Sequence, residues 1–226
     1  MPSTDTHEFF SGFTEDIRIR LGKVMHLRSL REGESVFHQG EQADAIYIVL
    51  SGRIKISRVT VDGNESILCM RQKGSYFCPV PVLDQKSHLG TATAMGETEI
   101  LYAERKEFLD ICSQFPELMA LVQGDCLAEV RHLLNRLETN AFRPIRERLA
   151  LILLQEVSQL DASSEIPAVV AMTQQELSGL VGSSRESISR NLARFEEDGL
   201  VQTKRGRIEI LDSEGLRQIV SRVKTR

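Results

Sequence analysis

The chain has 226 residues, of which 41% are hydrophobic and none is tryptophan, so it can bury substantial cores and is expected to form two domains. No segment is apolar over the length of a membrane span, and the amino terminus lacks a secretory pattern, which predicts a soluble cytoplasmic protein without a membrane partner. The net charge of −4 argues against a uniformly basic surface, although the 13 basic and 12 acidic residues from Ala141 onward leave that part at +1.

The first predicted elements are short strands separated by glycine-containing turns. Apolar and polar residues alternate strictly over residues 53–59, and the Asp62-Gly63-Asn64 sequence that follows is typical of a turn. The strand-like runs are residues 30–40, 45–52, 53–59, 76–83, 91–94 and 99–103. A series of this kind predicts a compact antiparallel roll.

The cysteines of the chain lie far apart in sequence, at Cys69, Cys78, Cys112 and Cys126. Because they show no C-x-x-C spacing, the sequence argues against a structural zinc site. Reduced, buried thiols are expected in a cytosolic protein, and only Cys78, which precedes Pro79, is a candidate for a further role.

A long helix is predicted to follow the roll. Its residues Leu127, Val130, Leu134, Leu137 and Ala141 recur at alternating spacings of three and four, and the pattern extends back to Gln123 and Ala120, which is typical of a coiled coil about three heptads long. We call Leu127, Val130, Leu134 and Leu137 the apolar stripe. Two such helices are expected to pair, although similar stripes also pack within a single domain. The sequence Asn140-Ala-Phe-Arg-Pro144 predicts a hinge, because proline cannot continue the helical hydrogen bonds.

Two short helices joined by a glycine-containing turn are predicted over residues 173–196. Thr173 and Glu176 form the pattern of a capping box at the start of the first helix, and Gly182 is a typical C-terminal stop. Ser183 or Ser184 is expected to cap the second helix.

The second helix has one apolar and one polar face. Its predicted buried residues are Ile188, Leu192 and Phe195, and its outward residues are Arg185, Ser189 and Arg190. The two arginines, together with Glu186, would offer donors and an acceptor to a DNA major groove, which is typical of a helix-turn-helix.

A hairpin is predicted after these helices, over residues 199–211, with its turn at Lys204-Arg205-Gly206. Basic residues at a hairpin tip suit contact with DNA phosphates, although such residues are also common in solvated turns. The hairpin is therefore a candidate wing.

Several motifs together closely resemble one known superfamily, that of the cyclic-AMP receptor protein and the fumarate and nitrate reduction regulator (CRP/FNR). They are Gly33, Gly40, Gly52 and Gly74, a long helix, and the sequence Gly182-Ser-Ser-Arg-Glu-Ser-Ile-Ser-Arg190. The resemblance implies an α+β fold: an N-terminal antiparallel β-roll similar to the cyclic-nucleotide-binding jelly roll, a long dimerisation helix and a C-terminal winged helix-turn-helix. The implied domains are an effector-sensing roll with an N-terminal helix over residues 1–115, the central helix over 116–140 and the DNA-binding domain over 141–226.

The resemblance also implies a role for each residue of the second helix. Arg185 would donate to guanine, Glu186 would accept from cytosine, and Arg190 would contact the next purine. The expected phosphate contacts and further DNA contacts are Ser184, Ser187, Thr173, Lys204 and Arg205. With Ser183 as the cap, Glu186 would instead complete a capping box. The implied partners are double-stranded DNA with inverted TGTGA-like half-sites, a second copy of the chain, RNA polymerase and a small effector.

The effector pocket implied by the resemblance departs from that of cyclic-AMP binders. Their Gly-Glu and Arg-Ser pairs, which hold the ribose and the phosphate, correspond here to Cys78-Pro79 and Leu89-Gly90. The candidate pocket residues are Cys78, Pro79, Val80, Leu89, Gly90, Thr91, Leu133 and Leu134. Without a cation for the buried phosphate, cyclic AMP is disfavoured, unless Lys86 or His88 substitutes from a shifted loop.

Two other sensing modes stay open. The sequence Gly74-Ser-Tyr-Phe-Cys78, together with Pro2, is similar to the haem site of the carbon-monoxide sensor of this superfamily, although that sensor's histidine is Val80 here. The alternative is a small apolar or weakly polar effector, or oxidation of Cys78 and Cys69. An iron-sulfur cluster is disfavoured, because there is no amino-terminal cysteine cluster.

Three classes of function compete: a DNA-binding transcription regulator, a cyclic-nucleotide-type regulatory module without DNA recognition, and an enzyme. The helix-turn-helix favours the first class. The second class conflicts with the residues from Arg185 to Arg190, and the third lacks a converging nucleophile, base and orienting group.

Overall fold

The computed structural model describes residues 13–59, 65–158 and 168–221. The chain divides into two compact units, Met1–Arg131 and His132–Arg226. The predicted turn at Asp62-Gly63-Asn64 and the proline at position 2 lie outside the described residues.

The first unit contains a β-roll flanked by helices. The helices are α1 (Glu15–Val24), α2 (Pro79–Asp84), α3 (Arg105–Gln114) and the first part of α4 (Pro116–Phe142). The strands are β1 (His26–Leu30), β2 (Ser35–Phe37), β3 (Ala45–Ser51), β4 (Arg53–Val59), β5 (Glu65–Gln72), β6 (Tyr76–Phe77), β7 (Thr91–Ala94) and β8 (Thr98–Glu104).

The strands form two four-stranded sheets, ordered β1-β8-β3-β6 and β2-β7-β4-β5, with every pair antiparallel. Alternation along β4 buries Ile54 and Ile56, as the period of two residues requires. These side chains join residues such as Phe37, Tyr47 and Phe77 in one apolar cluster. The antiparallel roll predicted from the sequence is confirmed.

One predicted strand-like run is wrong in its second half. The strand β6 ends at Phe77, and residues 79–84 form α2 instead. Pro79 lacks an N–H and has a fixed φ, which suits the first turn of a helix better than a paired strand. Cys78 precedes it in a left-handed conformation, with φ of 67°.

The long helix α4 continues further than expected. Residues 140–142, predicted as part of a hinge, are helical, and the break is confined to Arg143 and Pro144. Proline disfavours a helical conformation in the residue before it, which explains a break at that point and not earlier. No helix in the described parts of the chain is both long and apolar enough to cross a membrane.

The second unit contains α5 (Ile145–Ser158), β9 (Ala168–Val170), α6 (Gln174–Val181), α7 (Arg185–Glu197), β10 (Val201–Lys204), β11 (Arg207–Ile210) and α8 (Ser213–Ser221). The strands form a sheet ordered β10-β11-β9. The hairpin β10-β11 confirms the hairpin predicted over residues 199–211, with Gly206 at φ of 74° in its turn, and we keep the name wing for it. The strand β9 was not predicted, because three residues are too few to show a pattern.

Candidate DNA-binding and effector sites

The helix α6 begins with a complete capping box. The hydroxyl of Thr173 accepts from the N–H of Glu176 at 3.2 Å, and the Glu176 carboxylate accepts from the N–H of Thr173 at 2.7 Å. At its other end, Gly182 takes a left-handed conformation with φ of 68°. Both ends of this helix are therefore as predicted.

The helix α7 is capped by Ser184 rather than Ser183. The hydroxyl of Ser184 accepts from the N–H of Ser187 at 3.2 Å, so Ser187 occupies the third helical position. Glu186 lies one position earlier and does not complete a capping box, which removes that alternative for it. Its carboxylate accepts from its own N–H and from Ser184, and these bonds hold the pKa of Glu186 below its usual range.

The two faces of α7 differ as predicted. Ile188, Leu192 and Phe195 are buried, whereas Arg185, Ser189 and Arg190 are exposed. Arg190 donates through Nη2 to the Ser187 hydroxyl at 3.3 Å. The Arg185 guanidinium makes no hydrogen bond or ion pair with any described residue. The start of α7 thus offers a free guanidinium beside a carboxylate that stays ionised at neutral pH.

The far end of α7 is held by contacts that sequence reasoning missed. Arg146 on α5 pairs with Asp198 at 2.6 Å and lies over the Phe195 ring at 5.5 Å. The Glu196 carboxylate accepts from the N–H of Thr203 on β10 at 2.5 Å. These contacts join α7 to α5 and to the wing. They therefore hold α7 in a fixed orientation within this unit.

The basic residues of the wing are not equivalent. Lys204 donates to the Glu209 carboxylate at 2.7 Å, and Arg207 pairs with the same carboxylate at 3.4 Å. Arg205, at the turn, has no such partner in the described part of the chain. Of the two predicted wing contacts, Arg205 is therefore free for an external anion and Lys204 is already paired.

The apolar stripe on α4 is exposed to solvent in the single chain. The exposed fractions are 65% for Leu127, 52% for Val130, 59% for Leu134 and 66% for Leu137. All four lie on one continuous helix at coiled-coil spacing. An exposed apolar face of this size is typical of a surface that another protein surface covers.

The predicted effector-pocket residues of the first unit lie at the start of α2, in the segment before β7 and at the start of β7. Cys78, Pro79 and Val80 form the start of α2, while Leu89 is 60% exposed and Thr91 accepts a hydrogen bond from the N–H of Gln39 at 3.0 Å. Leu133 and Leu134 belong to the second unit, so their part in this pocket stays a prediction.

Gly90 has a steric reason to be glycine. A Cβ atom placed there would lie 2.7 Å from the carbonyl oxygen of Ser57. A side chain at position 90, which the sequence predicts to correspond to the phosphate-binding serine of cyclic-AMP binders, would therefore require Ser57 to move.

Polar groups near Cys78 were not predicted. Arg71 on β5 pairs with Glu129 on α4 at 3.3 Å, and the Tyr76 hydroxyl donates to Asp125 at 2.7 Å. Burial raises the pKa of the Cys78 thiol, Cys69 raises it further, and Arg71 lowers it by less. Cys78 is therefore a neutral thiol at physiological pH.

Across residues 13–59, 65–158 and 168–221, no group of three or more histidine, cysteine, aspartate or glutamate side chains is placed to hold a metal ion.

Two family models match the chain. Residues 27–115 match the cyclic nucleotide-binding domain, and residues 147–219 match the Crp-like helix-turn-helix domain. Together these ranges cover the β-roll and the unit that contains α6, α7 and the wing.

Similar proteins match over most of their length. The cyclic AMP receptor protein of Thermus thermophilus is 27% identical over 188 residues, which cover 83% of this chain and 85% of that protein. The CRP-like cAMP-activated global transcriptional regulator of Mycobacterium tuberculosis is 28% identical over 210 residues, covering 92% and 93%.

Solved structures share the fold. FixK2 from Bradyrhizobium japonicum superposes with a TM-score of 0.77 at 20% identity, covering 87% of this chain and 97% of that chain. The catabolite activator protein of Thermus thermophilus has a TM-score of 0.53 at 28% identity, covering 94% and 97%.

Proposed function

The chain belongs to the CRP/FNR superfamily of transcription regulators, and on that premise we propose that it acts as a symmetric dimer that recognises inverted TGTGA-like half-sites in double-stranded DNA. The members of this family are DNA-binding regulators and not enzymes. Action on the chromosome places the protein in the cytoplasm, and RNA polymerase is the partner through which it would change transcription.

The observation that carries the proposal is the amino-terminal end of α7. Its outward face presents an unpaired Arg185 and an exposed Arg190, while its inward face is fully buried. A guanidinium in this position can donate two hydrogen bonds to the O6 and N7 atoms of guanine in the major groove. The ionised Glu186 carboxylate can accept from the exocyclic amine of cytosine.

The remaining proposed contacts position the protein on the backbone. Ser184 and Ser187 lie at the start of α7, where N–H groups and hydroxyls favour a phosphate. The further candidates are Thr173, Lys204 and Arg205. Because Lys204 is paired with Glu209 and Arg205 is not, we assign the main wing contact to Arg205.

The sharpest test replaces one arginine and compares two DNA sequences at fixed salt. For Arg185→Ala, we expect a loss of about 1 to 3 kcal/mol on the TGTGA-like inverted repeat, and a relaxed preference at one base position. Arg217→Ala on α8 is the control, since it removes the same charge from a residue that pairs with Glu214. Fluorescence anisotropy measures both. An equal loss on random DNA would assign Arg185 to backbone contact and contradict base recognition.

We also infer that the apolar stripe on α4 is the dimer contact. The double variant Leu134→Asp/Leu137→Asp should dissociate the dimer, because it puts two like charges on each helix at buried positions. The double variant Asn135→Asp/Thr139→Asp adds the same charge to α4 outside the stripe and should stay dimeric. Sedimentation velocity distinguishes these outcomes, and an unchanged dimer in the first variant would exclude the stripe as the interface.

For the effector, we propose a small molecule other than cyclic AMP. The two relatives from Thermus thermophilus and Mycobacterium tuberculosis are named for cyclic AMP, but here Leu89 is apolar and exposed, and Gly90 is closed by Ser57. A buried cyclic phosphate would lack its cation. Cyclic AMP should therefore leave the melting temperature and the DNA affinity unchanged. Native mass spectrometry of the purified protein would identify a copurified effector.

The surroundings of Cys78 do not support the alternative of a haem-dependent sensor. A thiolate is the form that ligates ferric iron, and burial keeps this group protonated. The residues around it therefore do not fit the group well. A Soret band after reconstitution with haem, lost in Cys78→Ser, would overturn this conclusion.

A further inference from the structure

A separate cavity opens at the edge of the roll where β3 begins and β8 ends. Its volume is about 640 Å³, within the range of small-molecule sites. The lining residues come from β1, β2, β3, β8 and the segments before β3 and β7. None of the predicted effector-pocket residues lines it.

The inner wall of this cavity is aromatic. Phe37 and Tyr47 are each 6% exposed, and their ring centroids lie 5.5 Å apart. The ring centroids of Tyr102 and Tyr47 lie 6.4 Å apart. The His88 ring stacks on the Phe37 ring, with centroids 3.5 Å apart and planes 8° from parallel. The faces of such rings carry partial negative charge and attract cations.

The outer wall is acidic. Glu41, Asp44 and Glu104 line the cavity, and Arg28 is the single full cation among the lining residues that the structure describes. Arg28 is already bound, since its guanidinium donates to the Val36 and Ser35 carbonyls and pairs with Glu34 at 3.2 Å.

The three carboxylates have fewer hydrogen-bond and ion-pair partners than Arg28. Glu41 accepts from the N–H of His38 at 2.7 Å. Asp44 and Glu104 make no side-chain hydrogen bond or ion pair within the described residues. The carboxylates of Asp44 and Glu104 therefore carry negative charge that no side chain of the described residues neutralises.

His88 supplies an independent indication of a ligand. It is only 3% exposed, and neither ring nitrogen has a hydrogen-bond partner among the residues that the structure describes. Its backbone is fixed by hydrogen bonds to Glu41 and Gly40, at 2.8 and 3.0 Å. A neutral imidazole has one donor and one lone pair in either tautomer, and leaving both unsatisfied when buried is costly.

We propose that this cavity binds a small organic ammonium ion with an apolar portion. The apolar portion would lie on the rings of Phe37, Tyr47 and Tyr102, and the ammonium group would pair with Asp44 and Glu104 at the mouth. The lone pair of His88 would accept an N–H bond. An anion is excluded by the three carboxylates, because its burial beside them would be uncompensated. The site does not depend on the proposed DNA recognition, and each can fail without the other.

The test compares two probes of nearly the same shape. Calorimetric titration with 2-phenylethylamine should give saturable binding to the full chain, and 2-phenylethanol, which lacks the charge, should bind at least about tenfold more weakly. Equal binding of the two, or no binding of the amine at millimolar concentration, would overturn the proposal.

Variants then place the ligand. Asp44→Asn/Glu104→Gln should weaken the amine about tenfold or more and leave the weak alcohol unchanged. Glu99→Gln, on the same strand as Glu104 but outside the cavity lining, should bind like the unaltered protein. Circular dichroism checks that each variant is folded, and DNA affinity provides a second check. Amine binding that survives in the double variant would contradict the assignment.

Discussion

Gly90 shows how close packing can exclude a side chain from one position of the roll. Its missing side chain leaves just enough space for the Ser57 carbonyl and the side chain of Leu68, which would lie 2.7 and 3.2 Å from an added Cβ. Backbone of a paired strand cannot move aside cheaply, so the neighbouring strand β4 would have to shift. A serine could not be restored here without rebuilding this part of the roll.

Replacing this glycine therefore gives a clear prediction. Gly90→Ser should destabilise the protein by about 1 to 3 kcal/mol without creating cyclic-AMP binding. Gly124→Ala is the control, because a Cβ there meets no atom within 4 Å and alanine favours a helix. Urea unfolding measures both variants. A stable serine variant would show that β4 yields easily.

His88 should make stability depend on pH. Burial lowers its pKa, and the carboxylates of Asp44 and Glu41 oppose this only in part. The unfolded chain then binds the proton more readily than the folded chain, so stability is full above the unfolded pKa of about 6.5 and falls as pH drops towards the folded value. The slope from one proton cannot exceed about 1.4 kcal/mol per pH unit.

The corresponding variant is His88→Phe, which keeps the stacking on Phe37. Urea unfolding between neutral pH and the folded pKa should show a smaller decrease in stability for this variant than for the unaltered protein. His26→Phe is the control for loss of a histidine, since His26 is exposed on β1. Parallel pH curves for His88→Phe and the unaltered protein would contradict the assignment.

At the scale of elements, α6 separates a structural from a functional role for Thr173. The residue was predicted both to cap the helix and to contact DNA, and the structure confirms the cap. Thr173→Ala should destabilise the protein by about 1 kcal/mol, because it removes the side-chain acceptor.

Thr173→Asp distinguishes the two roles. An aspartate keeps a capping oxygen and suits the positive end of the helix, so stability should be retained. If Thr173 also lies near a phosphate, the added charge should weaken DNA binding on every sequence. Thermal unfolding and anisotropy give the two readouts, and unchanged affinity would limit Thr173 to the cap.

The elements that the sequence revealed have local causes. The capping box at Thr173, the stop at Gly182 and the alternation in β4 depend on neighbours within a few residues, and all three are present. The short helix α2 was missed because its apolar residues fit a strand equally well. Only the fixed φ and missing N–H of Pro79 favour a helix there.

Ion pairs between residues far apart in sequence could not be predicted from local sequence patterns. Arg146 meets Asp198 across 52 residues, and Glu209 neutralises Lys204 on the opposite strand. The aromatic and acidic residues of the cavity come from β2, the segment before β3, β3 and the distant strand β8, and no sequence motif shows that β8 lies beside the others. Periodicity specifies which face of an element is apolar, but not which charged groups meet.

At the scale of the whole molecule, the positions of the charged residues matter more for DNA binding than the net charge. A protein with a net charge of −4 is repelled by DNA at long range, so its binding depends on the few cations that reach phosphates. Each such contact releases counterions and makes the affinity decrease with salt. In the proposed dimer each contact would be made twice, once by each protomer, which would double its effect on the salt dependence.

The salt dependence of DNA binding therefore tests which wing residue makes contact. Arg205→Ala should weaken binding on all sequences and reduce the slope of log affinity against log salt by about two for a dimer. Lys204→Ala, at the neighbouring position, should change the slope by less, because Lys204 is engaged by Glu209. The two variants remove the same charge, so nonspecific charge effects cancel in the comparison. If both change the slope equally, the Lys204–Glu209 pair opens on DNA, and if neither does, the wing lies away from the phosphates.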